Sequence, residues 1–466
     1  DGTGIKNYLL SSFISKASKE FEIILAHNFD PSIAKEIAIA TDNYVHVNIP
    51  NYNETITDKF TREALCFARL NYNARIKSNS TILINWRRKK NHLIKKLFYK
   101  IIEAYGKFLS KKYKRIANQT KKSQQNLTKA KSIDQFKLFL KKIKPDLILT
   151  THQRPVINAP LFAAAKSLNI NSISVIYSWD NMPKARIPYY SDYFFVWSKY
   201  MKTEFEDYYP DINIEKVKIT GTPQFEFYKD KSLLQSKEIF CKEHKINPNR
   251  PIVCYSGDDT LTSPFDPEYL DEMAEIFNTV EEKNRPQIIL RPCPADDGRR
   301  FVHVLQKYSN IFLALPDWFE GKDEKSWYVK FAKKNDIKQL VNLAYHADAV
   351  VNVGSTMAHD FAMFNKPAFY LNYQPTTKNY TTLTPHKKNW SINTIYKYEH
   401  FKSMVNLNPV YWINSKDDFY QILKIINMRD SVVLNDQNIW KNRVLGSYST
   451  NNSALAIVKE LKEILN

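Results

Sequence analysis

A chain of 466 residues is longer than one ordinary core supports, and its 43% hydrophobic content supplies enough apolar surface for two domains of about 150 to 230 residues each. The composition excludes a disordered chain, and no run of about 20 uncharged apolar residues is present to span a bilayer. The formal net charge of +20 is concentrated: from Asn85 to Lys144 twenty Lys and Arg face only Glu103 and Asp134, and the rest of the chain is close to neutral. Four cysteines, Cys66, Cys241, Cys254 and Cys293, stand far apart without CxxC spacing, which argues against a disulfide framework and for a reducing compartment.

The chain opens on DGTG, a loop sequence, and residues 5–19 then carry helical spacing. Residues 21–29 (FEIILAHNF) read as a buried strand and residues 32–43 as a helix. An α/β rhythm normally puts a strand before the first helix, so a further strand is expected ahead of Asp1. Residues 58–143 contain almost no Gly or Pro, and Leu93, Ile94, Leu97, Phe98, Ile101, Ile102, Tyr105 and Leu109 recur at intervals of three and four, the mark of an amphipathic helical insertion.

Strand and helix alternate again after Pro145: PDLILTT, helix 160–170, SISVIYSW, DYFFVWS, helix 199–209 and KVKITGTPQF. A linker is expected near residues 226–250. A second round runs through PIVCYSG, helix 268–283, QIILRPCP, IFLALP, helix 336–347, DAVVNVG, helix 355–365 and KPAFYLN. Apolar strands alternating with amphipathic helices predict parallel sheets covered on both faces, hence two doubly wound, Rossmann-like α/β domains. The expected division is 1–228, with the basic insertion at 58–143, then 245–430, then helices at 431–466 that pack back across both lobes.

The densest chemistry lies in residues 336–372. A buried strand, AVVNV, ends in Gly354, Ser355 and Thr356 where a helix begins, and Asp360 follows one turn later. Glycine admits close backbone approach, while a helix N-terminus offers free N–H groups and the positive end of a dipole, a combination suited to phosphate. Ser and Thr are equally ordinary N-caps, so a purely structural turn is the competing reading.

This segment resembles the nucleotide-binding region of GT-B glycosyltransferases. The likeness rests on His346-Ala347-Asp348-Ala349-Val350-Val351, Gly354-Ser355-Thr356, Asp360 and Asn365-Lys366-Pro367. Ser178-Trp179-Asp180-Asn181 together with Gly221-Thr222-Pro223-Gln224-Phe225 look like bacterial surface-polysaccharide and glycerophosphate-polymer transferases, so the resemblance covers roughly residues 145–372. It implies two Rossmann-like domains facing a cleft, with the donor's phosphates at Gly354, Ser355 and Thr356 and its ribose at Asp360. Relatives commonly have Glu where this chain has Asp360. Many also have a His just after the strand that here ends in Arg291-Pro292-Cys293, and that role is left unassigned.

Transfer from a nucleotide sugar builds negative charge on the leaving group. Arg291, at a strand end, suits that charge, and Gly257, in the loop after PIVCYSG, could add an N–H donor. Both also read as structural: a salt bridge and a plain turn. Candidate acceptor-side groups are Asp1, His152 and Asp180, all expected in loops at the carboxyl ends of first-domain strands. His346 and His359 fall inside helices, where packing is the simpler role. No DxD pair flanked by strands is present; Asp258-Asp259 and Asp296-Asp297 read as loop acids, and no metal or cofactor is expected.

The function implied is a metal-independent glycosyltransferase moving a sugar from a nucleotide-sugar donor to a glycan or lipid-linked glycan in cell-surface polysaccharide synthesis. The alternatives are a CDP-polyol phosphate transferase, an NDP-sugar 2-epimerase and a non-catalytic glycan-binding protein. Residues 85–144, basic with an interleaved apolar stripe, point to an anionic membrane surface ahead of nucleic acid, for which no recognition module is present. A solvated lysine-rich face is the plain alternative. The expected location is cytoplasmic, peripheral on the inner face of the cytoplasmic membrane.

Overall fold

The computed structural model describes residues 2–29, 33, 44–88, 92–320, 330–376, 390–428, 431–449 and 452–466. They fall into two compact units. The N-terminal unit comprises residues 7–223, 398–402 and 443–466, and the C-terminal unit residues 1–6, 224–397 and 403–442. No helix among the described residues is long and apolar enough to cross a membrane.

In the N-terminal unit β1 (Ile24–His27) and β2 (Val45–Asn48) form a parallel pair, and β3 (Leu147–Thr150), β4 (Asn171–Val175), β5 (Tyr193–Val196) and β6 (Val217–Ile219) form a parallel sheet in chain order. The single helix expected over residues 5–19 is broken. A π-helical turn at Ile5–Leu9 is followed by a separate helix, Ser12–Ala17, because the Ser11 side chain caps it by accepting from the Phe13 N–H. The helix expected over 32–43 lies outside the described residues apart from Ile33. Helix Ser453–Leu465 brings Ala454, Ile457 and Leu461 against Tyr8, Phe13, Ile173, Val175 and Phe195, so the end of the chain completes this unit's core.

The basic insertion is helical throughout most of its length: Ile56–Ile76, Leu93–Ser110, Tyr113–Thr128 and Asp134–Ile143. Gly106 sets how closely the first two pack, since a Cβ there would lie 2.7 Å from Phe67 Cδ1 and 3.1 Å from the Ala64 carbonyl oxygen. The buried Arg69 guanidinium donates to Tyr113 (2.7 Å) and Thr120 (2.8 Å), and also to the Tyr190 hydroxyl, tying helices 56–76 and 113–128 to the turn before β5.

The C-terminal unit is built on six parallel strands: β7 (Ile252–Gly257), β8 (Gln287–Pro292), β9 (Ile311–Leu313), β12 (Ala349–Asn352), β13 (Ala368–Leu371) and β14 (Tyr411–Ile413), in the order β14-β13-β12-β7-β8-β9. All residues of β7, β8, β12 and β13 are buried, as helices on both faces require. Between β9 and β12 the chain makes an antiparallel pair, β10 (Trp318–Glu320) and β11 (Lys330–Ala332), which the sequence reading did not contain. Gly2 packs against β11, where a Cβ would stand 2.0 Å from the Lys330 carbonyl oxygen, so only glycine fits. Residues 224–250 fold with this unit: Phe240 of helix Lys237–His244 stacks on His346, and the Gln235 N–H donates to Asn342.

Candidate functional site

The strand order of the C-terminal unit singles out one place. From β7 the chain builds outward through β8 and β9, then returns to lay β12 on the other side of β7 and builds outward through β13 and β14. Connections therefore leave β7 and β12 in opposite directions, and the crevice at their carboxyl ends is the switch point where open parallel sheets bind ligands. Val351 pairs with Tyr255, so the strand exits at Gly257 and Val353 lie side by side.

The turn leaving β12 is a half-buried segment, Gly354 to Met357, that leads into helix Met357–Ala362. Gly354 has φ +71°, a left-handed conformation natural to glycine. Asn352 Oδ1 accepts from the Ser355 N–H at 2.7 Å, and the Tyr370 hydroxyl donates to the Ser355 carbonyl at 3.1 Å, which fixes the turn from below. Asn352 Nδ2 is buried without a partner among the described residues.

The helix that follows the turn carries Asp360 into a cluster of charges. Asp360 is 5% exposed, and its Oδ1 accepts from the Tyr228 hydroxyl at 2.7 Å. Arg291, at the end of β8, is buried, and its guanidinium donates to Asp336 Oδ1 at 2.6 Å. Asp336 also accepts from the Asp317 N–H (2.8 Å) and from Trp318 Nε1 (2.7 Å), so one carboxylate anchors both Arg291 and the start of β10. Lys6, from the opening segment of the chain, adds a second cation beside Asp360, Asp336 and Arg291. Burial pulls the Lys6 ammonium below its usual range against the attraction of Asp360 and Asp336. Burial likewise pushes the Asp360 carboxyl up, against Lys6, the Tyr228 hydrogen bond and Arg291. Burial thus disfavours the charged form of each.

Gly257 is the buried last residue of β7; a Cβ there would lie 3.1 Å from the Phe301 ring. The acids that follow it are knit into the fold. Asp266 accepts from the Asp258 N–H (2.8 Å), Arg300 (2.8 Å), Tyr255 (3.0 Å) and Ser263 (2.5 Å), while Arg300 also pairs with Asp296 at 2.5 Å. Asp258 itself is pushed well up by burial and by Asp266 and Asp259. His346 holds the Gln235 carbonyl at 3.0 Å, and the His359 ring lies 4.1 Å from Trp440.

In the N-terminal unit His152 and Asp180 follow the neighbouring strands β3 and β4 and share a rim, their loops joined by the Gln153–Asn181 hydrogen bond of 3.1 Å. The His152 ring abuts Tyr177, and burial, with Arg154 and Lys184 nearby, pulls its pKa down to about 2. Asp180 pairs with Lys184 at 2.5 Å and accepts from Ser178 at 2.7 Å. Burial opposes its ionisation, but Lys184, His400 and those hydrogen bonds outweigh it and hold the carboxyl below the usual range. Both groups are unprotonated at neutral pH, the condition for accepting a proton, although with low proton affinity. Asp1 lies outside the described residues. Sequence reasoning missed Lys6, Tyr228 and the role of Asp336; the acid in the first turn of helix Lys334–His346 was in view, but nothing in the sequence joined it to Arg291.

No protein-family model matches the sequence, and no curated protein does. Solved structures do. The chain is similar to a UDP-GlcNAc 2-epimerase from Methanocaldococcus jannaschii, with TM-score 0.51, 13% identity, and coverage of 98% of this chain and 97% of that one. It is similar to a glycosyltransferase from Rickettsia africae, with TM-score 0.51, 9% identity, and coverage of 100% and 94%. A further structure, a UDP-N-acetylglucosamine 2-epimerase, matches with TM-score 0.51 and 11% identity over 99% and 93%. With two Rossmann-like parallel-sheet domains and these neighbours, the chain has the GT-B fold.

Proposed function

We propose that this chain is a metal-independent glycosyltransferase that takes a sugar from a nucleotide-linked donor and passes it to a glycan or lipid-linked glycan of the cell surface. The observation that carries the reading is the glycine turn at Gly354, half-exposed at the β7/β12 switch point, with Asp360 in the helix that follows it and Lys6 and Arg291 beside Asp360. Phosphate needs N–H dipoles and cations within a low-dielectric setting, and this is where the C-terminal unit concentrates both. In this reading the Gly354–Thr356 backbone takes the phosphates, with Gly257 at the neighbouring strand exit. Lys6 and Arg291 meet the charge that grows on the leaving group. Asp360, with Oδ1 given to Tyr228, offers its other oxygen to the ribose. His152, Asp180 and Asp1 are the candidates for the acceptor side, in a cytoplasmic protein.

Calorimetric titration with UDP, CDP and UDP-GlcNAc tests the donor site. Binding should weaken ten- to a hundredfold in Lys6→Met, the loss of one charge-assisted hydrogen bond. Binding of none of the nucleotides, or binding indifferent to Lys6→Met and Gly354→Val alike, removes the basis of the proposal. Conversion of UDP-GlcNAc alone into an isomer would replace transfer by epimerisation. Preference for CDP would point to a polyol phosphate donor.

A further inference from the structure

Helix Leu93–Ser110 presents two unlike faces. One is packed: Tyr99, Ile102 and Leu109 are buried with Ala64 and Ala68 of helix Ile56–Ile76, and Gly106 closes against Phe67. On the other, Leu93 is 82% exposed, Ile94 84%, Leu97 61%, Ile101 51% and Phe108 50%. At about 100° per residue these five, with the exposed Ala104, fall inside one sector of roughly 100° that contains no polar side chain. The stripe runs about 22 Å along the axis at about 1.5 Å per residue. Lys96, Lys100 and Lys107, all exposed, line one edge of the sector, and the packed face closes the other.

We propose that this face is a membrane-docking surface: the helix lies flat on an anionic bilayer, its apolar stripe seated at the headgroup–acyl boundary and its lysine row on the lipid phosphates. An apolar sector of this kind on a folded surface marks an interaction site. Charge decides the occupant. The helix sits in the segment 85–144, where twenty basic residues face two acidic ones, so a second copy docked through the same face would bring two strongly basic surfaces together. An anionic lipid surface is attracted by the same charge, and an in-plane helix needs this combination of one apolar sector with a basic edge. The inference is independent of the nucleotide reading, since no residue of the helix belongs to the C-terminal unit.

The test is flotation of the full chain with vesicles of phosphatidylcholine alone and of phosphatidylcholine mixed with phosphatidylglycerol. Binding to the mixed vesicles only is expected, and it should weaken as salt rises. Replacing Lys96, Lys100 and Lys107 together by Gln should reduce the partition coefficient about a hundredfold, each lysine contributing about fivefold. Leu97→Gln and Ile101→Gln should each reduce it about tenfold, with circular dichroism unchanged. A polarity-sensitive dye on Ile94→Cys should shift to the blue on vesicles, and one on Lys131→Cys should not. Absence of binding to anionic vesicles, binding insensitive to Leu97→Gln and Ile101→Gln, or a dimer in sedimentation equilibrium that those substitutions dissociate would each overturn the proposal.

Discussion

Replacing Asp336 by Asn probes the charge cluster around Asp360 with little change of side-chain shape. The Arg291–Asp336 contact of 2.6 Å joins side chains that are 8% and 2% exposed, so solvent cannot take over for either partner. Asparagine keeps one acceptor oxygen, enough for the Asp317 N–H or for Trp318 Nε1 but not both, and leaves the Arg291 guanidinium without its counter-ion. Breaking a buried pair from one side costs about 3–5 kcal/mol. Asp360 softens the loss, since with Asp336 neutral it ionises more readily beside Arg291 and Lys6, so the lower end, about 3 kcal/mol, is expected. In a domain of about two hundred residues each kcal/mol moves Tm by about 2–4 °C, giving a fall of roughly 6–12 °C for the transition of the C-terminal unit. Urea denaturation followed by tryptophan fluorescence and calorimetry measures it. The double variant Arg291→Met with Asp336→Asn should recover much of the loss, because it leaves no orphan charge and changes position 336 no further than the single variant does. A cost below about 0.5 kcal/mol for Asp336→Asn, or a double variant no better than the single, would refute the reasoning.

Gly354→Ala forces a side chain into φ +71° and should cost about 1–2 kcal/mol by calorimetry, together with at least a tenfold loss of nucleotide affinity. Glu204 is buried with Oε2 unpaired among the described residues, and burial, then Asp180, Glu399 and Asp207, push its carboxyl well up. The folded state therefore holds a proton that the unfolded state releases, and stability falls as pH rises above the ordinary Glu range. Glu204→Gln should flatten that alkaline decline and stabilise at pH 7 by about 1–3 kcal/mol, read from urea midpoints between pH 5 and 9. His359 and His400 behave oppositely: burial lowers them to about 3 and about 4. Their unfolded forms take up protons first as pH falls below the ordinary His range, so each removes up to about 1.4 kcal/mol per pH unit of stability on the acid side. His359→Phe should lessen that acid slope by one such increment between pH 6 and 4, and an unchanged slope would count against a neutral buried imidazole.

The parallel strands were legible because strands buried on both faces appear as unbroken apolar runs, as in IVCY, IIL, AVV and AFYL. The Gly354 turn was legible because a glycine followed by Ser and Thr ends such a run. The β10/β11 pair was not, since three-residue strands rich in Trp, Phe, Glu and Lys carry no periodicity to detect. The break at Ser11 was hidden as well: helical spacing continues across it, and only the cap to Phe13 ends the first turn.

Residue order by itself determined most of the long strands and helices, where the positive charge lies, and that a small-residue turn follows β12, because each depends on neighbours a few positions apart. Only the tertiary structure decided that Lys6, Tyr228, Arg291, Asp336 and Asp360 share one cluster, and which face of helix Leu93–Ser110 remains uncovered. Those five residues are drawn from 355 positions of chain, and strand order, which local periodicity does not encode, brings them together. Burial then sets their charges, because the cost of ionisation depends on what surrounds a group in space.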